Sequence, residues 1–181
     1  MKRVVKMKKF ITTLIIITML VACLAGCTKK EAAPADDTLK GRTSFVYRGV
    51  TFNVGDKADD VIPQLGDLKK PAYKEQPCIP GAGEIEHFEY DGISVAVTQY
   101  GQICDIYISA IDNPGSDAKI VAGLGLGATA DEVKKVLGEP TDDIEGVILT
   151  YTDGSYSFSL SFDDETGEAF SISATDMDLE L

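Results

Sequence analysis

The sequence predicts an α+β fold: two tandem α-β-β-β repeats forming an antiparallel sheet with short helices packed on one face. Three observations predict it. Residues Val54 to Gly66 align without gaps to Leu126 to Gly138, with six of thirteen positions identical. Each aligned segment carries the apolar spacing of a short helix. Each is then followed by three stretches of alternating apolar and polar residues joined by short turns.

Taking the elements in order, the first helix has Val61, Ile62 and Leu65 as its apolar stripe. Pro63 lies inside it and lacks an N–H, so that helix is expected to be short or kinked. Three strands follow at Ile85 to Tyr90, Ile93 to Thr98 and Ile103 to Ile111, with Asp91-Gly92 and Gly101-Gln102 as turns. In the second helix, Thr129 and Glu132 have capping-box spacing and Val133, Val136 and Leu137 make the stripe. Gly138 stops that helix and Pro140 prevents its resumption. Val147 to Tyr151, Ser155 to Phe162 and Ala169 to Ala174 supply the second set of strands. Tyr156, Phe158, Leu160 and Phe162 alternate there with Ser155, Ser157, Ser159 and Ser161, the period of a half-buried antiparallel strand. One additional strand is expected within Thr43 to Phe52. The two-repeat domain is placed at 44–175, divided into 44–113 and 114–175, with 176–181 as an acidic tail.

Residues 1–26 read as a lipoprotein signal peptide. Lys2, Arg3, Lys6, Lys8 and Lys9 precede an apolar run from Phe10 to Ala25. Sixteen helical residues reach about 24 Å, short of a hydrocarbon core of about 30 Å, so the run fits a signal better than a membrane span. It ends in Leu24-Ala25-Gly26-Cys27, which resembles the bacterial lipobox. That resemblance implies cleavage before Cys27 and acylation of its sulfur, hence a palmitate-type anchor on the extracytoplasmic face of the cell membrane. Residues 27–43 are expected to be the lipidated terminus and a flexible tether.

Charge narrows the partners. Removing the five basic residues of the leader from 17 leaves twelve against 29 acidic residues, a net charge of −17. Such a surface repels phosphate backbones, which excludes nucleic acid, and favours a basic protein, a cationic peptide or a metal ion. Of the four cysteines, Cys23 leaves with the signal and Cys27 carries lipid. Cys78 and Cys104 remain as an even pair in an exported chain, so a disulfide is expected between them. Closing a loop of roughly 26 residues stabilises a fold by roughly 3 kcal/mol.

The helix pattern Asp-(Asp/Glu)-Val-x-x-x-Leu-Gly, at Asp59 to Gly66 and Asp131 to Gly138, precedes a three-stranded meander in both halves. This resembles the β-lactamase-inhibitory-protein-like fold, which includes the small BamE/SmpA-type lipoproteins. The resemblance covers roughly 44–175. It implies helices on one sheet face and a protein-binding role for the other. The chain has no Trp, an anchor on which inhibitor surfaces lean, so the resemblance implies architecture rather than inhibition.

No residue set calls for catalysis, a cofactor or a metal. Gly123, Gly125 and Gly127 before the second helix mimic a phosphate loop, but no βαβ unit follows, and a glycine-rich turn is the better reading. His87, the single histidine, is expected on a solvated strand face. Asp163, Asp164, Glu165 and Glu168 crowd one turn without the spacing of an EF-hand, as do Asp142, Asp143 and Glu145. The open sheet face is the candidate site. By alternation it carries Ser94, Ala96, Thr98, Tyr107 and Ser109 from the first repeat, and Ser155, Ser157, Ser159, Ser161, Ser171 and Ser173 from the second. The expectation is a non-enzymatic, membrane-anchored module that binds a protein or cell-envelope component through that face. The alternatives are an envelope hydrolase or metal-dependent enzyme, and a structural spacer.

Overall fold

A computed structural model describes residues 37–78 and 83–179. Cys27, the signal peptide and most of the expected tether lie outside the described residues. The folded chain starts earlier than residue 44. Helix α1 (Leu39–Arg42) is capped by the Thr38 side chain, which accepts from the Gly41 N–H at 3.1 Å. The expected tether is therefore ordered from Thr38 onward. Leu39 packs on the core and Thr43 is wholly buried.

The stretch expected to hold one strand forms a hairpin instead, β1 (Phe45–Tyr47) and β2 (Val50–Phe52). Arg48 and Gly49 both take positive φ, at 50° and 81°, the backbone of a two-residue turn matched to strand twist. Phe45 and Tyr47 point inward, so the strand turns back once its two buried rings are placed. The hairpin stays out of the main sheet. It pairs with β7 (Lys119–Ile120) in a separate three-stranded sheet, ordered β2-β1-β7.

Helix α2 (Ala58–Val61) runs on as a 3₁₀ turn over Ile62–Gln64. Pro63 explains the change: it cannot donate the next α-helical hydrogen bond, and the tighter turn accepts it near its start. Helix α3 (Ala130–Leu137) is longer and carries a full capping box. The Thr129 N–H donates to Glu132 Oε2 at 2.9 Å, while the Glu132 N–H donates to Thr129 Oγ1 at 3.4 Å. Val133 and Leu137 are buried, but Val136 is 38% exposed and lies off the stripe assigned to it. Gly138 ends α3 at φ 92°, a conformation that a side chain would strain.

Among the described residues, the main sheet has eight antiparallel strands in the order β3-β4-β5-β6-β11-β10-β9-β8. They are β3 (Tyr73–Glu75), β4 (Ile85–Glu89), β5 (Ser94–Thr98), β6 (Ile103–Ser109), β8 (Asp142–Ile144), β9 (Ile148–Asp153), β10 (Tyr156–Phe162) and β11 (Ala169–Asp176). Each half contributes four strands rather than the expected three, because β3 and β8 add an edge apiece. Asp176 ends β11 and Leu179 packs on the core, so the expected acidic tail is in part folded. Val95, Ile106, Ile172, Phe158 and Leu149 from successive strands share one core cluster with Phe45 and Phe52 of the small sheet, Val61 of α2 and Val133 of α3. The covering elements thus bury their apolar side chains against a single face of the main sheet, an α+β arrangement.

Candidate functional site

The other face of the main sheet is set by the alternation that fills the core. Where Val95, Ile106, Phe158 and Leu160 turn inward, Ser94, Tyr107, Ser157 and Ser159 turn outward. Registers then align these residues into rows that no single strand reveals. Ser94 pairs with Tyr107, Tyr107 with Ser173, Ser173 with Ser159, and Ser159 with Thr150. The Thr150 and Ser159 hydroxyls lie 3.0 Å apart. A parallel row runs Tyr73, His87, Ala96, Asp105, Thr175, Ser157 and Thr152. A shorter one joins Ser109, Ser171 and Ser161.

Depth separates the expected site residues. Ser94, Tyr107, Ser157, Ser159, Ser161 and Ser173 are partly exposed on this face. Thr98 is buried, and its hydroxyl accepts the N–H groups of Tyr100 and Gln102 at 3.2 and 3.4 Å, fixing the β5–β6 turn. Ser109 is buried and accepts from the Ile111 N–H at 3.2 Å. Ser171 is buried at 8% exposure beside Ser109. Ser155 stands in the turn before β10 and donates to Asp176 Oδ1 at 2.6 Å. The Thr98 and Ser109 hydroxyls each hold a turn at the end of a strand in place, which explains their burial: a hydroxyl that satisfies a turn's backbone is drawn under it.

Two features of this face were not expected, the burial of Asp105 and the ring that covers His87. Asp105 sits between Ala96 and Thr175, and burial pushes its carboxyl up to about 6. His87 stacks on Tyr73 with ring centroids 4.9 Å apart, and its Nε2 is 3.6 Å from Glu75. Alternation places both on the outer face; the stack needs β3, which the sequence does not announce.

The two remaining thiols are free, Cys78 exposed and Cys104 buried, in place of the expected disulfide. The register between β5 and β6 shifts between Ala96 and Val97, which leaves Cys104 as an extra residue in β6 opposite that shift. It is buried there, while Cys78 lies at the surface beyond β3. Burial, then the neighbouring Asp105 charge, push the Cys104 thiol up to about 11, the behaviour of an inert structural cysteine.

The turns and loops singled out by composition are engaged internally. The positive end of α3 is occupied by the Glu132 carboxylate, so the glycine-rich loop before it presents no open anion site. Asp163 Oδ1 accepts the N–H groups of Glu165 and Thr166, and the Thr166 bond first, then the Glu165 bond, hold its carboxyl below the usual range. Asp143 accepts from Lys134 Nζ at 2.7 Å and from the Gly146 N–H at 2.8 Å. Among the described residues, no three His, Cys, Asp or Glu side chains converge as metal ligands would. Nor is any helix among them long and apolar enough to cross a membrane.

Neither a protein-family model nor a curated protein sequence matches this chain. Solved structures similar to it include the following two. One is a cysteine-rich secretory protein from Staphylococcus aureus subsp. aureus Mu50, at 12% identity and a TM-score of 0.47, covering 68% of this chain and 43% of that one. The other is an extracellular protein containing an SCP domain from Bacillus anthracis str. Ames, at 11% identity and a TM-score of 0.41, covering 83% of this chain and 49% of that one. The chain therefore spans less than half the length of either neighbour. These matches correct the resemblance to β-lactamase-inhibitory and BamE/SmpA-type proteins. The physical reason lies in the residues that carried it. Asp131 and Glu132 charge a helix start, Val133 and Leu137 bury its stripe, and Gly138 ends it, tasks that any short capped helix on a sheet sets.

Proposed function

We propose that this protein is a membrane-anchored, extracytoplasmic and non-enzymatic module that binds a protein or cell-envelope component through the hydroxyl-lined face of its main sheet. The observation that carries this reading is the row Ser94, Tyr107, Ser173, Ser159 and Thr150, which crosses five strands in register. Small hydroxyl side chains keep the surface shallow and offer both donors and acceptors. Tyr107 in their midst supplies the amphipathic ring that interfaces favour. The anchor rests on the leader and on Cys27. Duplication of an ancestral helix-plus-strands unit is supported by the sheet order, which runs outward from β6 and β11 through strands of matching rank. It is supported also by the shared burial of Val61 with Val133 and of Leu65 with Leu137.

Substituting Ser157→Arg and Ser159→Arg together places two long cations on the shallow face without touching the core. The expected outcome is loss of the partners that the native protein retains from envelope extract, with unchanged thermal stability. Full retention by the doubly substituted protein rejects the face as the binding surface. Labelling with a palmitate analogue is expected to disappear in Cys27→Ser, and labelling that persists rejects the anchor.

A further inference from the structure

A second feature lies on the core side of the main sheet, at the end where β3 and β4 meet α2. The sheet and helix do not close on each other there, leaving a cleft of about 450 Å³. That volume falls within the range of sites that hold ligands. Its floor is apolar, built from Ile62 and Pro63 after α2, Phe88 on β4 and Val97 on β5. Its rim is acidic: Asp59 comes from α2, Glu84 from the approach to β4, and Glu86 from β4 itself. The rim has one base, Lys74, whose Nζ lies 3.7 Å from Glu84. Three carboxylates thus face one ammonium. The sequence contains no further Lys or Arg until Lys119, so β4, β5 and β6 add no compensating charge. An apolar floor beneath excess carboxylates selects a ligand with aliphatic bulk and positive charge. The cleft also borders β3, which among the described residues is the outermost strand, pairs with β4 and has no strand partner on its other edge. An extended chain is the ligand shape that such an edge accepts.

We propose that this cleft docks an extended cationic peptide in which an aliphatic residue and a Lys or Arg stand two positions apart, so that both project from one face of the chain into it. The aliphatic side chains would enter between Ile62 and Phe88, and the cations would meet Asp59, Glu84 and Glu86. This site is separate from the hydroxyl face, and the proposal stands whether or not that face binds a partner.

The test is isothermal titration of the full chain, held in nanodiscs of zwitterionic lipid, against empty nanodiscs as reference. The probe is a capped hexapeptide whose Lys and Leu side chains stand two positions apart, with Ser between them. Its expected behaviour is saturable binding that weakens as salt is raised, with no binding of the matching Glu-Leu hexapeptide. Neutralising the rim with Asp59→Asn, Glu84→Gln and Glu86→Gln is expected to weaken binding by about tenfold or more. Glu84→Gln alone, at a side chain 61% exposed, is expected to weaken it measurably without affecting the fold. Ser157→Arg with Ser159→Arg is expected to leave this binding unchanged, which separates the cleft from the sheet face. Equal binding of the Glu-Leu peptide, or native affinity in both the triple and the Glu84→Gln variants, overturns the proposal. Full displacement by spermidine at the peptide's own affinity also overturns it, since a ligand without aliphatic side chains has no use for the apolar floor.

Discussion

Asp105 makes a measurable link between the sheet face and stability. Its cross-strand neighbours are Ala96, which has no polar side-chain atom, and Thr175. The Thr175 hydroxyl donates to the Cys104 carbonyl at 3.2 Å, so its proton is spent elsewhere. Burial without a cationic partner pushes the carboxyl up to about 6 from an ordinary 3.8. One pKa unit corresponds to about 1.4 kcal/mol, so the ionised carboxylate costs the fold about 2–3 kcal/mol at neutral pH. The sign follows from proton linkage. The folded state holds this proton more tightly than the unfolded chain does. Stability from this group is therefore greatest below the unfolded pKa near about 4, declines as pH rises through about 6, and is flat above. Asp105→Asn keeps the shape and removes the charge. At about pH 8 the variant is expected to be more stable than the native protein by about 2 kcal/mol, a rise in melting temperature of about 6 °C for a domain of this size. At about pH 4 the two are expected to coincide. Urea denaturation followed by circular dichroism at both pH values measures the difference. An equal gain at both, or none at either, refutes the reasoning, because neither outcome depends on ionisation of a buried carboxyl.

Three further outcomes follow from the same geometry. Under native conditions a maleimide probe is expected to label Cys78 at once and Cys104 only on unfolding, since one thiol is exposed and the other buried with its pKa raised; mass spectrometry finding neither labelled after unfolding contradicts free thiols. Tyr156→Phe is expected to cost about 1–2 kcal/mol in chemical denaturation. The Thr43 hydroxyl gives its proton to the Leu39 carbonyl at 2.8 Å, so the Tyr156 hydroxyl, 2.6 Å away and buried, is the donor whose loss removes the bond that the Thr43 oxygen accepts. Thr129→Ala removes the cap of α3 and is expected to lower stability by about 1 kcal/mol, with Thr129→Ser restoring most of it; an unchanged denaturation midpoint in the Ala variant rejects the cap as a contributor.

What the sequence discloses depends on which forces shape each element. β10 is legible because its buried and half-buried residues alternate without a break from Tyr156 to Phe162. β3 and β8 are not, because each is three residues long and exposed on both faces, so no period of buried side chains records it. Asp142 and Asp143 look like a charged turn for that reason, yet they pair in register with Thr150 and Leu149. Pro63 predicts the break in the first helix, because its effect is local. The disulfide expectation rested on parity and compartment, and neither senses the register shift beside Cys104.

The same distinction governs the candidate sites. Period two assigns Thr98, Ser109 and Ser159 alike to the outer face, but only Ser159 stays available there, because the other two hydroxyls cap turns that the alternation does not describe. Asp105 shares its strand face with Tyr107, which is legible. Its burial is not, since that is decided by Ala96 and Thr175, and Thr175 becomes a neighbour only because β11 lies beside β6. The rim of the cleft draws Asp59 from a helix and Glu84 and Glu86 from around a strand, and no linear spacing joins them. A strand's own sequence thus states which residues face outward. Which of them act together is set by sheet order, so binding chemistry spread across a sheet becomes visible only once the order of its strands is known.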